Sequence, residues 1–104
     1  MSKAGRATRA ELGKTVRFLC VAPEAKSVFL AGTFNQWDSS ATPMLSEQTG
    51  EWQVAIDLLP GTYEYKYVVD GVWCCEAGVA DEDYVGGDAV VNPFGTKNRI
   101  MEVK

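Results

Sequence analysis

The residues best suited to specific chemistry lie in one short segment: Tyr63-Glu64-Tyr65-Lys66-Tyr67-Val68-Val69-Asp70-Gly71-Val72-Trp73-Cys74-Cys75. Asp70-Gly71 is a strong signal for a two-residue hairpin turn, because both turn positions require positive φ. Such a turn predicts that Val69 pairs with Val72, Val68 with Trp73, Tyr67 with Cys74 and Lys66 with Cys75. Cross-strand partners share a face, and successive residues alternate. Glu64, Lys66, Val68, Trp73 and Cys75 are therefore expected on a solvent face. Tyr63, Tyr65, Tyr67, Val69, Val72 and Cys74 are expected on a core face. The outer face then sets an ammonium diagonally beside an indole, while a second tryptophan, Trp37, stands in a polar loop. Indole faces stack on the apolar C–H faces of pyranose rings, and Lys, Asn and Thr hydrogen-bond the hydroxyls. The pattern suits a sugar and calls for no cofactor.

Other chemistries are excluded or poorly supported. Histidine is absent, which rules out His-dependent triads and imidazole acid–base work. A glycosidase needs two carboxylates at a fixed separation. Asp81, Glu82 and Asp83 lie in a glycine-bearing stretch with nothing obvious to hold them, so they read as a solvated acidic loop. Asp81, Asp83 and Asp88 could offer oxygen ligands to calcium, but their spacing is not that of an EF-hand and no metal site is expected. Gly86-Gly87 is followed by neither a Lys-Ser/Thr pair nor a helix, so no phosphate loop is read. No catalytic residue is expected.

A chain of 104 residues suffices for one two-layer core. The net charge of −4 is unevenly spread. Lys3, Arg6, Arg9, Lys14 and Arg17 against Glu11 give residues 1–17 a charge of +4, which leaves −8 on the remainder. An acidic body disfavours phosphate backbones, so nucleic acid is not an expected partner. No apolar run is long enough to span a bilayer or to serve as a signal segment, and the expected location is cytoplasmic. Three cysteines, two of them adjacent, do not form a secreted disulfide framework. Cys20 and Cys74 fall on apolar faces and read as buried thiols; Cys75, on the polar face, reads as the oxidisable one.

Strands must position these residues. Residues 16–21 and 27–32 read as strands, residues 33–40 as the polar loop that carries Trp37, and residues 43–45 as a short extended piece. In residues 51–59, Trp52, Val54, Ile56 and Leu58 alternate with polar positions and are expected inward. Pro60-Gly61 leads into the hairpin, residues 76–89 read as a long acidic loop, and residues 99–103 form the last strand. No window keeps helical apolar spacing. Strands separated by turn residues at roughly 8–12-residue intervals predict an all-β sandwich. Residues 1–13 read as a flexible basic arm and residues 14–104 as the sandwich domain.

Three segments also resemble one family. Val28-Phe29-Leu30-Ala31-Gly32-Thr33-Phe34-Asn35-Gln36-Trp37 is similar to the V-x-x-x-G-x-F-N-x-W segment of family 48 carbohydrate-binding modules. That family includes the glycogen-binding domain of the AMP-activated protein kinase β subunit and the N-terminal domains of branching and debranching enzymes. Residues 59–73 resemble its L-P-x-G-x-Y-x-Y-K-F-x-V-D-G-x-W segment, and residues 94–103 its L-G-T-x-N-N-x-I-x-V strand. The match spans roughly residues 15–104. It implies an immunoglobulin-like, early-set β-sandwich that binds α-1,4-glucan. Carried over by position, Trp37 and Trp73 are stacking platforms, Lys66 is a hydroxyl donor, and Thr96 and Asn98 match directly. Phe94 stands where the family has a leucine, so its ring either adds a platform or blocks the inside of a glucan turn. Downstream of Trp73, Cys75-Glu76-Ala77 departs from the family's common Asp-Pro pair.

The leading expectation is a non-catalytic α-glucan-binding module, partnered by glycogen-like or starch-like chains. One alternative is a protein-interaction or regulatory sandwich that recruits a kinase-type partner through its arm or a sheet edge. Another is an accessory domain acting in trans on a glucan-metabolising enzyme.

Overall fold

Apolar alternation along eight strands closes the chain into two antiparallel sheets, in a computed structural model that describes residues 13–46 and 50–104. The strands are β1 (Lys14–Val21), β2 (Val28–Gly32), β3 (Leu45–Ser46), β4 (Glu51–Leu58), β5 (Gly61–Val69), β6 (Val72–Cys74), β7 (Ala89–Val91) and β8 (Lys97–Val103). One sheet runs β1-β4-β3; the other runs β2-β5-β8-β7, with β6 also paired to β5. The result is the expected immunoglobulin-like sandwich. Apart from Gly13, the basic arm read over residues 1–13 lies outside the described residues. Among the described residues, no helix is long and apolar enough to cross a membrane.

The core lies between the facing sides of the two sheets. Phe18 on β1 meets Tyr65 on β5 edge-on, with ring centroids 5.0 Å apart, and Tyr65 meets Tyr67 in the same manner at 5.9 Å. Leu30, Val28, Met44, Leu58 and Cys20 complete the buried cluster. Trp52, Val54 and Ile56 pack against it, as their alternation predicts. Polar atoms of the core rings find partners across the sandwich. The Tyr67 hydroxyl donates to the Leu19 carbonyl at 2.9 Å, and the Trp52 indole donates to the Ala22 carbonyl at 3.0 Å.

The hairpin forms in the expected register for its first three pairs: Val69 with Val72, Val68 with Trp73, and Tyr67 with Cys74. Asp70 and Gly71 have φ of 49° and 85°, as the two-residue turn requires. Asp70 also ties this turn to the chain entering the neighbouring strand β2, since its carboxylate accepts from the backbone N–H groups of Lys26 and Ser27. The fourth predicted pair, Lys66 with Cys75, does not form, because β6 ends at Cys74. Val72, expected in the core, is 64 % exposed; it sits at the tip of a three-residue strand, beyond the reach of the opposite sheet. The stretch read as one acidic loop contains a 3-10 turn at Asp81–Asp83 and is followed by β7, which its short apolar run did not reveal.

Gly32, at the end of β2, is needed for space. A β-carbon there would lie 2.5 Å from the Glu64 carbonyl oxygen and 2.7 Å from the Phe34 ring. We therefore expect Gly32→Ala to lower stability by about 1–3 kcal/mol. Gly87→Ala, where an added β-carbon meets nothing within 4 Å, should stay within about 0.5 kcal/mol of the parent. Urea unfolding midpoints of the two variants would check both expectations.

Candidate functional site

Trp37 is placed by a strained turn after β2. Asn35 staples this turn, accepting from Gly32 N–H at 3.0 Å and donating to the Leu30 carbonyl at 3.1 Å and the Thr42 hydroxyl at 2.9 Å. The Trp37 N–H returns to the Gly32 carbonyl at 2.9 Å. Gln36 and Trp37 consequently both adopt φ of 57°, left-handed backbone that costs a non-glycine residue roughly 1–2 kcal/mol. Strain of this kind persists where surrounding structure enforces it, and it gathers at functional sites. Its effect is to hold the half-buried indole beside Trp73. Their ring centroids are 6.4 Å apart and the planes are tilted by 45°.

Lys66 differs most from expectation. Its face of β5 was expected to meet solvent, yet the residue is only 6 % exposed. The chain leaving β6 folds back over this face and brings Asp81 against the ammonium, which pairs with Asp81 Oδ2. The other Asp81 oxygen accepts from the Cys75 N–H at 3.4 Å. Asp81 is thus a fixed counter-charge, not a solvated one. The same covering segment corrects the reading of Cys75, which is fully buried, with its thiol donating to the Lys97 carbonyl at 3.3 Å. Burial pushes the Cys75 thiol pKa up, and it drives that of Cys74 to about 11, so neither is a ready thiolate.

Asp88 closes the far end of the covering segment. It accepts from the Tyr84 hydroxyl at 2.7 Å and from Arg99 Nε at 2.9 Å. Burial alone would raise its carboxyl, but these two donors hold it below the usual carboxylate range. Burial and the bond to Asp88 push Tyr84 up to about 12. The Arg99 guanidinium also lies over the rings of Tyr65, Tyr67 and Tyr84 at 5.4, 5.9 and 5.4 Å. Two of the three aspartates considered as calcium ligands, Asp81 and Asp88, therefore face protein cations. Among the described residues, no acidic or cysteine cluster suits a metal.

The third wall is the turn before β8. Asn92 builds it: its side-chain oxygen accepts from the N–H groups of Phe94 and Thr96 at 3.0 and 3.1 Å. Its amide nitrogen donates to the Thr96 hydroxyl at 2.7 Å and to Asn98 Oδ1 at 2.9 Å. Asn98, itself buried, donates onward to Glu64 at 3.0 Å. Phe94 projects from the turn and is 91 % exposed.

These walls enclose one open cavity of about 720 Å³. All the residues singled out from sequence line it: Trp37, Lys66, Trp73, Phe94, Thr96 and Asn98. The structure adds Asp81, Glu64, Asn92 and Thr33. Of these, Glu64 is placed by the hairpin register on the face of Lys66 and Trp73, though not read there as a site residue. Asn92, in its Asn-Pro pair, carries a signal that speaks to the turn rather than to the site. Aromatic faces rim the cavity, and amide, hydroxyl, ammonium and carboxylate groups form its floor. Such a surface can grip a ligand that is apolar on one side and rich in hydroxyls on the other.

Removing one member of a buried ion pair strands the other. We expect Asp81→Ala to lower stability by roughly 3 kcal/mol, with most of the loss recovered in the double variant Lys66→Met/Asp81→Leu. Denaturant unfolding of the two variants would check this.

Comparison with known proteins agrees with this geometry. Residues 18–104 match the family described as the glycogen recognition site of AMP-activated protein kinase. The β subunit of 5'-AMP-activated protein kinase from Schizosaccharomyces pombe is 36% identical over 50 residues, covering 48% of this chain and 16% of the relative. The β-1 subunit from Sus scrofa is 33% identical over 79 residues, covering 76% of this chain and 56% of the relative. A 1,4-alpha-glucan branching enzyme from Vibrio parahaemolyticus is 43% identical over 56 residues, covering 54% of this chain and 7% of the relative. The matched region thus spans about half the length of these relatives at most. With its match running from β1 to the C-terminal residue, the chain belongs to the glycogen-recognition-site family of carbohydrate-binding modules.

Proposed function

We propose that this chain binds α-1,4-glucan without altering it, holding glycogen-like or starch-like chains between Trp37 and Trp73. The observation that carries this reading is the pair of indoles tilted by 45° at 6.4 Å over a polar floor. A flat ligand would touch one ring face at a time, whereas a curved α-glucan can follow both. Lys66 has three N–H donors, of which Asp81 takes one, leaving donors for sugar hydroxyls. Thr96 and Asn98 extend the polar lining, and the exposed Phe94 ring offers a third apolar face.

Nothing in this reading requires bond making or breaking. Each stacked ring contributes on the order of 1 kcal/mol, and after the cost of association this corresponds to about micromolar to millimolar affinity. The relatives' names place similar segments within kinase β subunits and branching enzymes. We infer that this module works beside a glucan-metabolising enzyme or a kinase-type partner, to which it brings polysaccharide.

Calorimetric titration with maltoheptaose tests the reading, with β-1,4-linked cellohexaose as the flat control. We expect saturable binding of maltoheptaose alone. Trp37→Ala and Trp73→Ala should each weaken it by about five- to tenfold. No binding at millimolar maltoheptaose, or equal binding of cellohexaose, would contradict the proposal.

A further inference from the structure

Trp73 is a wall shared by two cavities. The residue is 41 % exposed and, besides facing Trp37, also lines a second cavity of about 580 Å³. Trp73, Asp81 and Thr96 line both cavities, so the two adjoin at this indole. Val72, Val79 and Ala80 supply the apolar part of the second cavity, and Glu82 adds a carboxylate at its rim.

This second cavity is held open. Val79 N–H closes a tight turn onto the Glu76 carbonyl at 3.1 Å, with Gly78 at φ of 80° supplying the left-handed position. The Asp81–Asp83 turn follows, closed by Asp83 N–H onto the Ala80 carbonyl at 2.9 Å. Asp81 anchors that turn to Lys66 and to the Cys75 N–H. The far wall is therefore tied to the hairpin by polar contacts, which keeps it from collapsing onto the indole.

The lining also constrains the ligand. It combines an aromatic face, aliphatic groups, a hydroxyl and two carboxylates, and it includes no lysine or arginine. Asp81 is already paired with Lys66, so it is the rim carboxylate of Glu82 that accepts hydrogen bonds from hydroxyls and disfavours anions. With no cation in the lining, the surface favours a neutral polyol over a phosphate or an acidic peptide. We infer that a glucan seated between Trp37 and Trp73 continues past Trp73, and that the second cavity holds further glucosyl units of the same chain. Trp73 then contacts sugar units in both cavities. This inference rests on the glucan-binding reading above.

Chain length separates the two ideas. Maltotriose is short enough to occupy the first cavity alone, while maltodecaose can reach both. Ala80 is exposed at the wall of the second cavity, so Ala80→Trp fills it with little demand on the core. Val72→Ser strips the apolar wall at an exposed position, and thermal melts establish that both variants are folded. The wild-type chain should bind maltodecaose more tightly than maltotriose. Either variant should weaken maltodecaose by about three- to tenfold and leave maltotriose unchanged. Amide resonances of Val79 and Ala80 should shift with maltodecaose and stay still with maltotriose. If both variants match the wild type for both sugars while Trp37→Ala loses binding, the second cavity is empty and the primary glucan site stands. Equal weakening of both sugars would likewise overturn a separate subsite. Failure of the wild type to bind either sugar would overturn both readings.

Discussion

Strand β5 has two successive neighbours along one edge. β8 pairs with residues 61–65, β6 pairs with residues 67–69, and the handover falls at Lys66. At that point β5 has no strand on this edge, and the chain leaving β6 must cross the outer face of the sheet. The crossing segment buries Lys66, and a buried ammonium requires a counter-charge. Asp81 supplies it, and in doing so pins the Asp81–Asp83 turn behind Trp73. One discontinuity in strand pairing thus explains a buried lysine, an ordered covering segment and the wall of a cavity.

The remaining parts of the site are held with comparable firmness. Asn35 forces Trp37 into left-handed backbone, and Asn92 ties the 92–96 turn to Asn98 and Glu64. In both cases a single asparagine side chain does work that a longer loop would otherwise leave to chance. Trp37 and the 92–96 turn are therefore each held by a hydrogen-bonded frame, as the hairpin register holds Trp73. Preorganisation of this kind matters for a site whose individual contacts are weak.

Much of this was legible in the sequence because short-range rules govern it. Alternation placed Trp52, Val54, Ile56 and Leu58 on the core face, and Asp70-Gly71 set the hairpin register through Cys74. Register in turn put Lys66 and Trp73 on one face. The errors share one cause. Lys66 and Cys75 were read as exposed because the strand pattern shows which face a residue takes, not whether a distant segment will cover that face. Asp81 looked unanchored for the same reason: its partner lies fifteen positions away in sequence. Val72 was read as core because alternation says nothing about where a three-residue strand runs out of opposing sheet. β7 escaped because Ala89–Val91 is too short to show a period.

The central claim is that Trp37 and Trp73 together form the sugar-contacting surface, and the chain contains its own control. Trp52 donates its indole N–H to the Ala22 carbonyl at 3.0 Å, within the sandwich and outside the cavity. A proton–nitrogen correlation spectrum recorded during a maltoheptaose titration resolves all three indole N–H groups at once. The structure predicts that the Trp37 and Trp73 signals shift together and saturate along one binding curve while Trp52 stays fixed. Stationary Trp37 and Trp73 signals at saturating sugar, or a Trp52 shift as large as theirs, would contradict it.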